Sequence, residues 1–364
     1  MIYLDYQATT PLAPEARAAM LPWLAEDGFA NPHSPHKAGR GAAAAVAAAR
    51  TRIVAADPAL ANGKLWFTSG ATEAVNWAIQ ATLVDAPATR RGIVTIATEH
   101  ACTLDTAAWA ARHGADVTIL PVGPDGLIDL TQAAAAIGDR TAIVSAMLVN
   151  NEIGVIQPLA ELAAIARAAG ALFLCDAAQA YGRVPLPDAD LIALSAHKIH
   201  GPKGIGALYV RDGIRLGALL HGGGQEGGIR SGTLSPMLCA GFGAAATVTY
   251  DRRDTDAAHV MELAQRFRAA LPDWTVNGST DHRYPGNLSL RRDGVDAAGL
   301  ISRLRNVAFS AGSACASGSG RPSHVLRAIG LSDAHARNTI RLGFGRYTTS
   351  DEIDTAAALI AAAA

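Results

Sequence analysis

A chain of 364 residues, 50% hydrophobic and 17% charged with a formal net charge of -1, is long enough for about two globular domains. It is too nearly neutral to have nucleic acid or an anionic membrane as its main partner. No charge run reads as a solvating tail, and no apolar stretch approaches the ~20 residues of a membrane span.

The opening "MIYLDYQATTPLAPEA" lacks the basic and apolar regions of a signal peptide. Four cysteines, at 102, 175, 239 and 315, are too few and too scattered for a disulfide framework. A cytoplasmic protein with free thiols is expected.

Between residues 40 and 215, short apolar runs alternate with Ala-rich helical stretches. Strands are predicted at "KLWFTS" (64–69), "GIVTIAT" (92–98), "DVTILPV" (116–122), "TAIVSAML" (141–148), "ALFLCD" (171–176), "DLIALSA" (190–196) and "GIGALYV" (204–210). Most are apolar throughout, as in strands covered on both faces. Helices such as "LAELAAIARAAG", closed by a Gly, lie between them. This alternation predicts an α/β fold with a doubly wound, mostly parallel seven-stranded sheet. The last two strands are joined by the turn "HKIHGPK" and form a possible hairpin, which allows one antiparallel strand. After residue 250 the texture becomes that of a smaller α+β domain: helix "HVMELAQRFRAAL", strand "NLSLR", helix "DAAGLISRLRN", then "PSHVLRAIG" and "TIRLGFG". The expected division is a large domain over 14–250 and a small one from 1–13 and 251–364, the latter carrying a cysteine loop at 310–322.

In open α/β sheets ligands bind at the carboxyl ends of the strands. After the first strand, "SGATEAVNWAI" opens a helix whose N–H groups and Thr72 hydroxyl suit a phosphate. A Ser/Thr N-cap with Glu73 explains it equally well. Glu99-His100 follow the second strand, and "NNEIG" follows "TAIVSAMLV". Asp176 ends a buried strand, which is costly unless the carboxylate meets a cation or several donors. Lys198 follows "DLIALSA" directly, whereas Lys203 in the Gly-Pro turn belongs at a rim. A partly desolvated lysine becomes a usable amine for Schiff-base chemistry. Singly, each has a bland explanation. Together, a phosphate cradle, a ring-stacking His, an acid for a pyridinium and a Schiff-base Lys are the parts of a pyridoxal phosphate site. Neither a strand-borne G-x-G-x-x-G nor a P-loop is present. The pairs His33/His36 and His197/His200 lack further ligands, so no metal is assigned.

In "SAGSACASGSGRP", Cys315 has Ala, Gly and Ser on both sides, unlike a cysteine that packs a core. It is either a spare thiol on a linker or a functional one. Cys175, in an apolar strand, and Cys239, in a small-residue helix, read as buried and inert. Cys102, two residues past His100, is the rival.

In order along the chain, "YLDYQATTP", "NPHSPHKAGR", "SGATEAVNWAI", "TEH", "NNEIGVIQP", "DAAQ", "SAHKIHGPKGIGALY", "GGGQEGGIRSGT", "GSACASG" and "IRLGFGRYTT" resemble the motifs of the cysteine desulfurases of the NifS/IscS type, in the class V aminotransferase superfamily. The match runs nearly end to end. It implies the aspartate aminotransferase-like fold of pyridoxal 5'-phosphate enzymes. Lys198 would hold the cofactor covalently, Asp176 pair with the pyridine nitrogen, and His100 stack on the ring. Ala71, Thr72, Ser195 and His197 would hold the phosphate, with Gln179 near the ring oxygen and Asn151 beside the cofactor and substrate. Thr233 would reach the phosphate in a neighbouring subunit, making a homodimer, and Arg341 would bind the substrate carboxylate.

The resemblance also gives Cys315 its role. Lys198 would remove the Cα proton of L-cysteine, with His100 as acid/base. The Cys315 thiolate would take the sulfur as a persulfide, release L-alanine, and deliver the sulfur to an acceptor or scaffold protein for iron–sulfur assembly. The small residues from Gly312 to Gly318 would let a thiol collect sulfur in one place and deliver it in another. Two departures bear on the acceptor. Gly227 stands where IscS-like members commonly carry an Arg, and "AAALIAAAA" is shorter than the scaffold-docking tail of IscS-type members. The alternatives are a selenocysteine lyase and a cofactor-binding partner subunit without catalysis.

Overall fold

The computed structural model describes residues 1–312 and 322–364, so Cys315 lies outside the described residues. The N-terminal half runs β1 (Ile2–Tyr3), α1 (Pro14–Met20), α2 (Lys37–Ala55), β2 (Gly63–Thr68), α3 (Ala71–Asp85), β3 (Gly92–Ile96), α4 (Ala101–Arg112), β4 (Asp116–Leu120), α5 (Leu130–Ala136), β5 (Thr141–Met147), α6 (Leu159–Ala168), β6 (Leu172–Asp176), β7 (Leu191–Ser195) and β8 (Gly206–Arg211). Then come α7 (Pro236–Ala270), β9 (Thr275–Val276), β10 (Asn287–Arg291), α8 (Ala297–Arg303), β11 (Val307–Ala308), α9 (His324–Ala328), α10 (Asp333–Arg337), β12 (Thr339–Gly343) and α11 (Ser350–Ala363).

All seven predicted strands of the first part pair in one sheet, in the order β2-β8-β7-β6-β5-β3-β4. Only β8 runs antiparallel to its neighbours. The carboxyl ends of β2, β3, β5, β6 and β7 therefore share one edge. β5, β3 and β7 are buried at every position, as the continuous apolar runs require. β4 differs. It lies at an edge of the sheet, pairs with β3 alone, and leaves Asp116, Thr118 and Ile119 exposed, so its run is only partly covered.

Gly206 shows how tightly β8 meets the start of α3: a Cβ there would lie 2.4 Å from Leu194 O and 2.6 Å from Gly70 Cα. Glycine lets the two backbones close together at the edge where the strand ends converge.

Helix α7 starts from a Ser235 cap on Leu238 N–H (3.3 Å) and a Pro in its first turn, and runs unbroken through residue 250. It packs on α1 and α2 with one end and on α11 with the other. The remaining strands form β12-β10-β9, antiparallel, and the parallel pair β1-β11. The N-terminal segment thus joins the C-terminal part of the chain, continuing through a bridge from Asp5 to Gly343. No helix among the described residues is long and apolar enough to cross a membrane.

Candidate active site

At the start of α3, Gly70 is the N-cap and supplies no side-chain bond. The capping explanation for "SGAT" therefore does not hold in its expected form. Glu73 reaches back instead, accepting from Ser69 N–H (2.7 Å) and from Arg230 (2.8 and 3.1 Å). Burial pushes the Glu73 carboxyl up, but these donors outweigh it and hold the carboxyl below its usual value. The first-turn N–H groups of α3, which include Ala71 and Thr72, have no side-chain cap and follow the carboxyl end of β2, an arrangement suited to an anion.

Asp176 ends β6 and is buried, with Oδ1 accepting from Ala178 N–H at 2.9 Å. Burial raises its pKa, while the Ala178 bond and the charges of His100 and Lys198 pull it back. No ion pair is made by Asp176 among the described residues. A buried carboxylate so placed is stabilised by a cation brought by a ligand.

His100 caps α4 with its side chain: Nδ1 accepts from Cys102 N–H at 3.1 Å. The neutral ring consequently carries its proton on Nε2. Burial lowers its pKa, Asp176 opposes this, and Lys198 and His324 add to it.

Lys198 closes a short 3₁₀ turn after β7. Its Nζ donates to Gln7 O (2.5 Å) and Ala8 O (2.9 Å), and its own carbonyl accepts from Arg183 Nη2 (2.5 Å). Beside it, Ser195 is buried. His197 Nδ1 meets Thr9 Oγ1 at 3.2 Å. Burial, then the charges of Lys198, Lys203 and Arg183, push His197 down to about 4, so it is neutral at physiological pH. Gln179 spans two groups, donating to Gln7 O (2.9 Å) and accepting from Arg183 Nη1 (2.8 Å).

Arg341 on β12 is 1% exposed. Its guanidinium donates to Asp5 Oδ1 (2.6 Å) and to Asn151 O (3.2 Å), while Nε is buried without a partner among the described residues. Asn151 is therefore beside Arg341. Its neighbour Asn150 is committed to the turn, donating to Thr98 O (2.7 Å) and accepting from the N–H groups of Glu152 and Ile153. Arg341 also exchanges backbone bonds with Ser310 (2.7 and 3.2 Å). Thr233, in contrast, is exposed on the segment after Arg230.

Cys102, Cys175 and Cys239 are all buried. Burial, then the charges of nearby carboxylates, push the first two far up, and Cys239 is pushed up to about 12 by burial and Glu226. These three remain thiols at neutral pH, which is poor nucleophile chemistry.

Two parts of the site went unassigned in the sequence. The segment Asp5–Thr9 holds Arg341, Lys198, Gln179 and His197 through the bonds above. Its motif "YLDYQATTP" is conspicuous, but its contacts to Lys198 and Gln179 are backbone carbonyls, which no residue type advertises. The other is Glu99, 0% exposed, with Oε1 on Met147 N–H (2.6 Å) and Oε2 without a partner among the described residues. Burial, then the charge of Asp176, raises its pKa well above the usual range. The folded state retains a proton that the unfolded chain releases, so stability falls as pH rises above the unfolded value, by up to about 1.4 kcal/mol per pH unit. The Glu99→Gln variant has no such proton. Its melting temperature relative to the parent is expected to climb between about pH 5 and about pH 8; a flat difference would contradict a neutral Glu99.

A lysine amine, an unpaired buried acid, a neutral imidazole and an open helix N-terminus at one edge of a mixed α/β sheet define the class of pyridoxal phosphate enzymes, and these residues fit the group. The aminotransferase class-V family model matches residues 2–355. A relative, the cysteine desulfurase IscS of Rickettsia akari (strain Hartford), is 44% identical over 99% of this chain and 90% of its own length. Among solved structures, a NifS-like protein superposes with a TM-score of 0.90 at 28% identity, covering 99% of this chain and 98% of that one. SspA in complex with cysteine gives 0.84 at 34% identity, covering 96% and 100%. The chain belongs to the class-V aminotransferase family, and its cofactor is pyridoxal 5'-phosphate.

Proposed function

We propose that the protein is an L-cysteine desulfurase, converting L-cysteine to L-alanine with transfer of sulfur to Cys315 and then to an acceptor. The observation that carries this reading is the exchange of backbone bonds between Arg341 and Ser310. It ties the strand holding a carboxylate-binding guanidinium to the segment that leads, five residues on, to Cys315.

In this reading, the start of α3 with Ala71 and Thr72, together with Ser195 and His197, holds the cofactor phosphate. Asp176 would pair with the ring nitrogen, His100 and Gln179 would contact the ring, and Asn151 would contact both cofactor and substrate. The bound cofactor supplies the electron sink that lets the Cα–H bond ionise. Arg341 takes the substrate carboxylate, orienting Cα toward Lys198, whose amine removes the proton. Burial disfavours the Asp176 charge, and the Ala178 N–H bond and the charges of His100 and Lys198 pull the other way. The His100 Nε2 proton is available to the departing alanine or to the thiol pair. The Cys315 thiolate attacks the substrate sulfur: a new S–S bond forms, the C–S bond breaks, and its electron pair returns to the alanine carbon, which is then protonated.

Thr233, exposed in the single chain, is assigned to the phosphate of a second copy in a homodimer. The sulfur acceptor is assigned to iron–sulfur assembly in a reducing cytoplasm. The chain is read as a large unit over 14–250 and a small unit from 1–13 and 251–364, with α7 as the element between them. The test is product analysis. Equal molar L-alanine and protein-borne sulfur from L-cysteine, with no faster turnover of L-selenocysteine, is expected. Turnover confined to L-selenocysteine would make the protein a lyase.

A further inference from the structure

A cavity of about 40 Å³ lies beside Lys198, lined also by Arg183, Arg253, Arg346, His200, Tyr284 and Asp256, among others. It has room for a few waters or one small ion. Three arginines face it with a single carboxylate, Asp256. That carboxylate is already engaged by Arg346 (2.7 Å) and Arg252 (3.3 Å). Arg346 is 4% exposed at its side chain, and its Nη1 is buried with no partner among the described residues. Arg183 makes no ion pair among the described residues; its donors go to Gln179 and to the Lys198 carbonyl, and its plane lies over the Tyr284 ring at 5.3 Å. A buried guanidinium without a counter-charge is costly, and the surplus here is positive.

We propose that this cavity binds one small monovalent inorganic anion of the chloride class, held between Arg183 and Arg346 Nη1. His200 lies among the same charges: burial pushes it down to about 3, its bond to Pro11 O opposes the fall, and Arg346 and Arg183 add to it. The ion neutralises Arg183, the residue that fixes the backbone of Lys198 and the amide of Gln179. Anion occupancy thereby steadies one wall of the cofactor site without entering it. This inference needs no assumption about the substrate.

The probe is chloride, titrated from zero to about 100 mM against gluconate at constant ionic strength, with the melting temperature of the holoenzyme as readout. Gluconate is too large for the cavity. A saturable rise with chloride is expected. Ala257 lines the same cavity. Ala257→Glu would supply a built-in carboxylate, raising the melting temperature in gluconate and abolishing the chloride response. Crystals soaked in bromide should give an anomalous peak between Arg183 and Arg346. Identical melting in chloride and gluconate, with no bromide peak, would mean that water fills the cavity and would overturn the proposal.

Discussion

Lys198→Ala is expected to lower L-cysteine turnover by at least about 10⁴-fold, the upper end of what a general base contributes, because this one side chain also holds the cofactor. Its Nζ sits 2.5 and 2.9 Å from the carbonyls of Gln7 and Ala8, so the amine is fixed by backbone on the N-terminal segment. The variant loses the bonds to Gln7 O and Ala8 O but creates only a small void at a half-buried position. It should remain folded and bind the cofactor noncovalently, so that borohydride no longer fixes the cofactor to the protein. Steady-state assays and the mass of the borohydride-treated protein check this together. Retained turnover would place the base on another residue, with His100 the first candidate.

Asp176→Asn separates function from stability. Substitution removes the buried negative charge that would meet the ring nitrogen, and the loss of one such preorganised electrostatic partner costs about 10²–10³-fold in rate. The apoprotein should respond in the opposite direction. Asp176 makes no ion pair among the described residues, and burial already disfavours its charge. A neutral amide of the same shape therefore raises the melting temperature of the apoprotein near neutral pH, where an ionised Asp176 carries the cost of burial. Slower turnover with a more stable apoprotein is the expected pair of results. A variant with slower turnover and a less stable apoprotein would contradict the reading of Asp176 as a buried charge that costs stability until the cofactor binds.

What the sequence discloses is what is local to strand ends. Lys198, Asp176 and His100 each follow an apolar run directly, so a parallel sheet brings them together once the runs are recognised. The single antiparallel strand was legible in the short Gly-Pro turn before β8. The exposed face of β4 was not, because an edge position depends on which strand fails to find a second neighbour. The Asp5–Arg341 pair joins residues 336 positions apart, and no periodicity links them. Glu99 was overshadowed by the histidine beside it, although a carboxyl placed directly after a buried strand carries the same cost that drew notice to Asp176.

The surroundings of the site also narrow the choice of nucleophile. Cys102 is near enough to be acted on by Asp176 and Glu99, but its burial, and then those charges, raise its pKa and keep it a thiol. Cys315 is the remaining cysteine, and its neighbours in sequence are the smallest side chains available.

Mass spectrometry of the holoenzyme after mixing with L-cysteine, without reductant and with peptides mapped, tests the central claim most directly. One extra sulfur on the Cys315 peptide, absent from the Lys198→Ala variant, is the predicted result. Added sulfur on the Cys102 peptide, or alanine formed with no sulfur on Cys315, would contradict it.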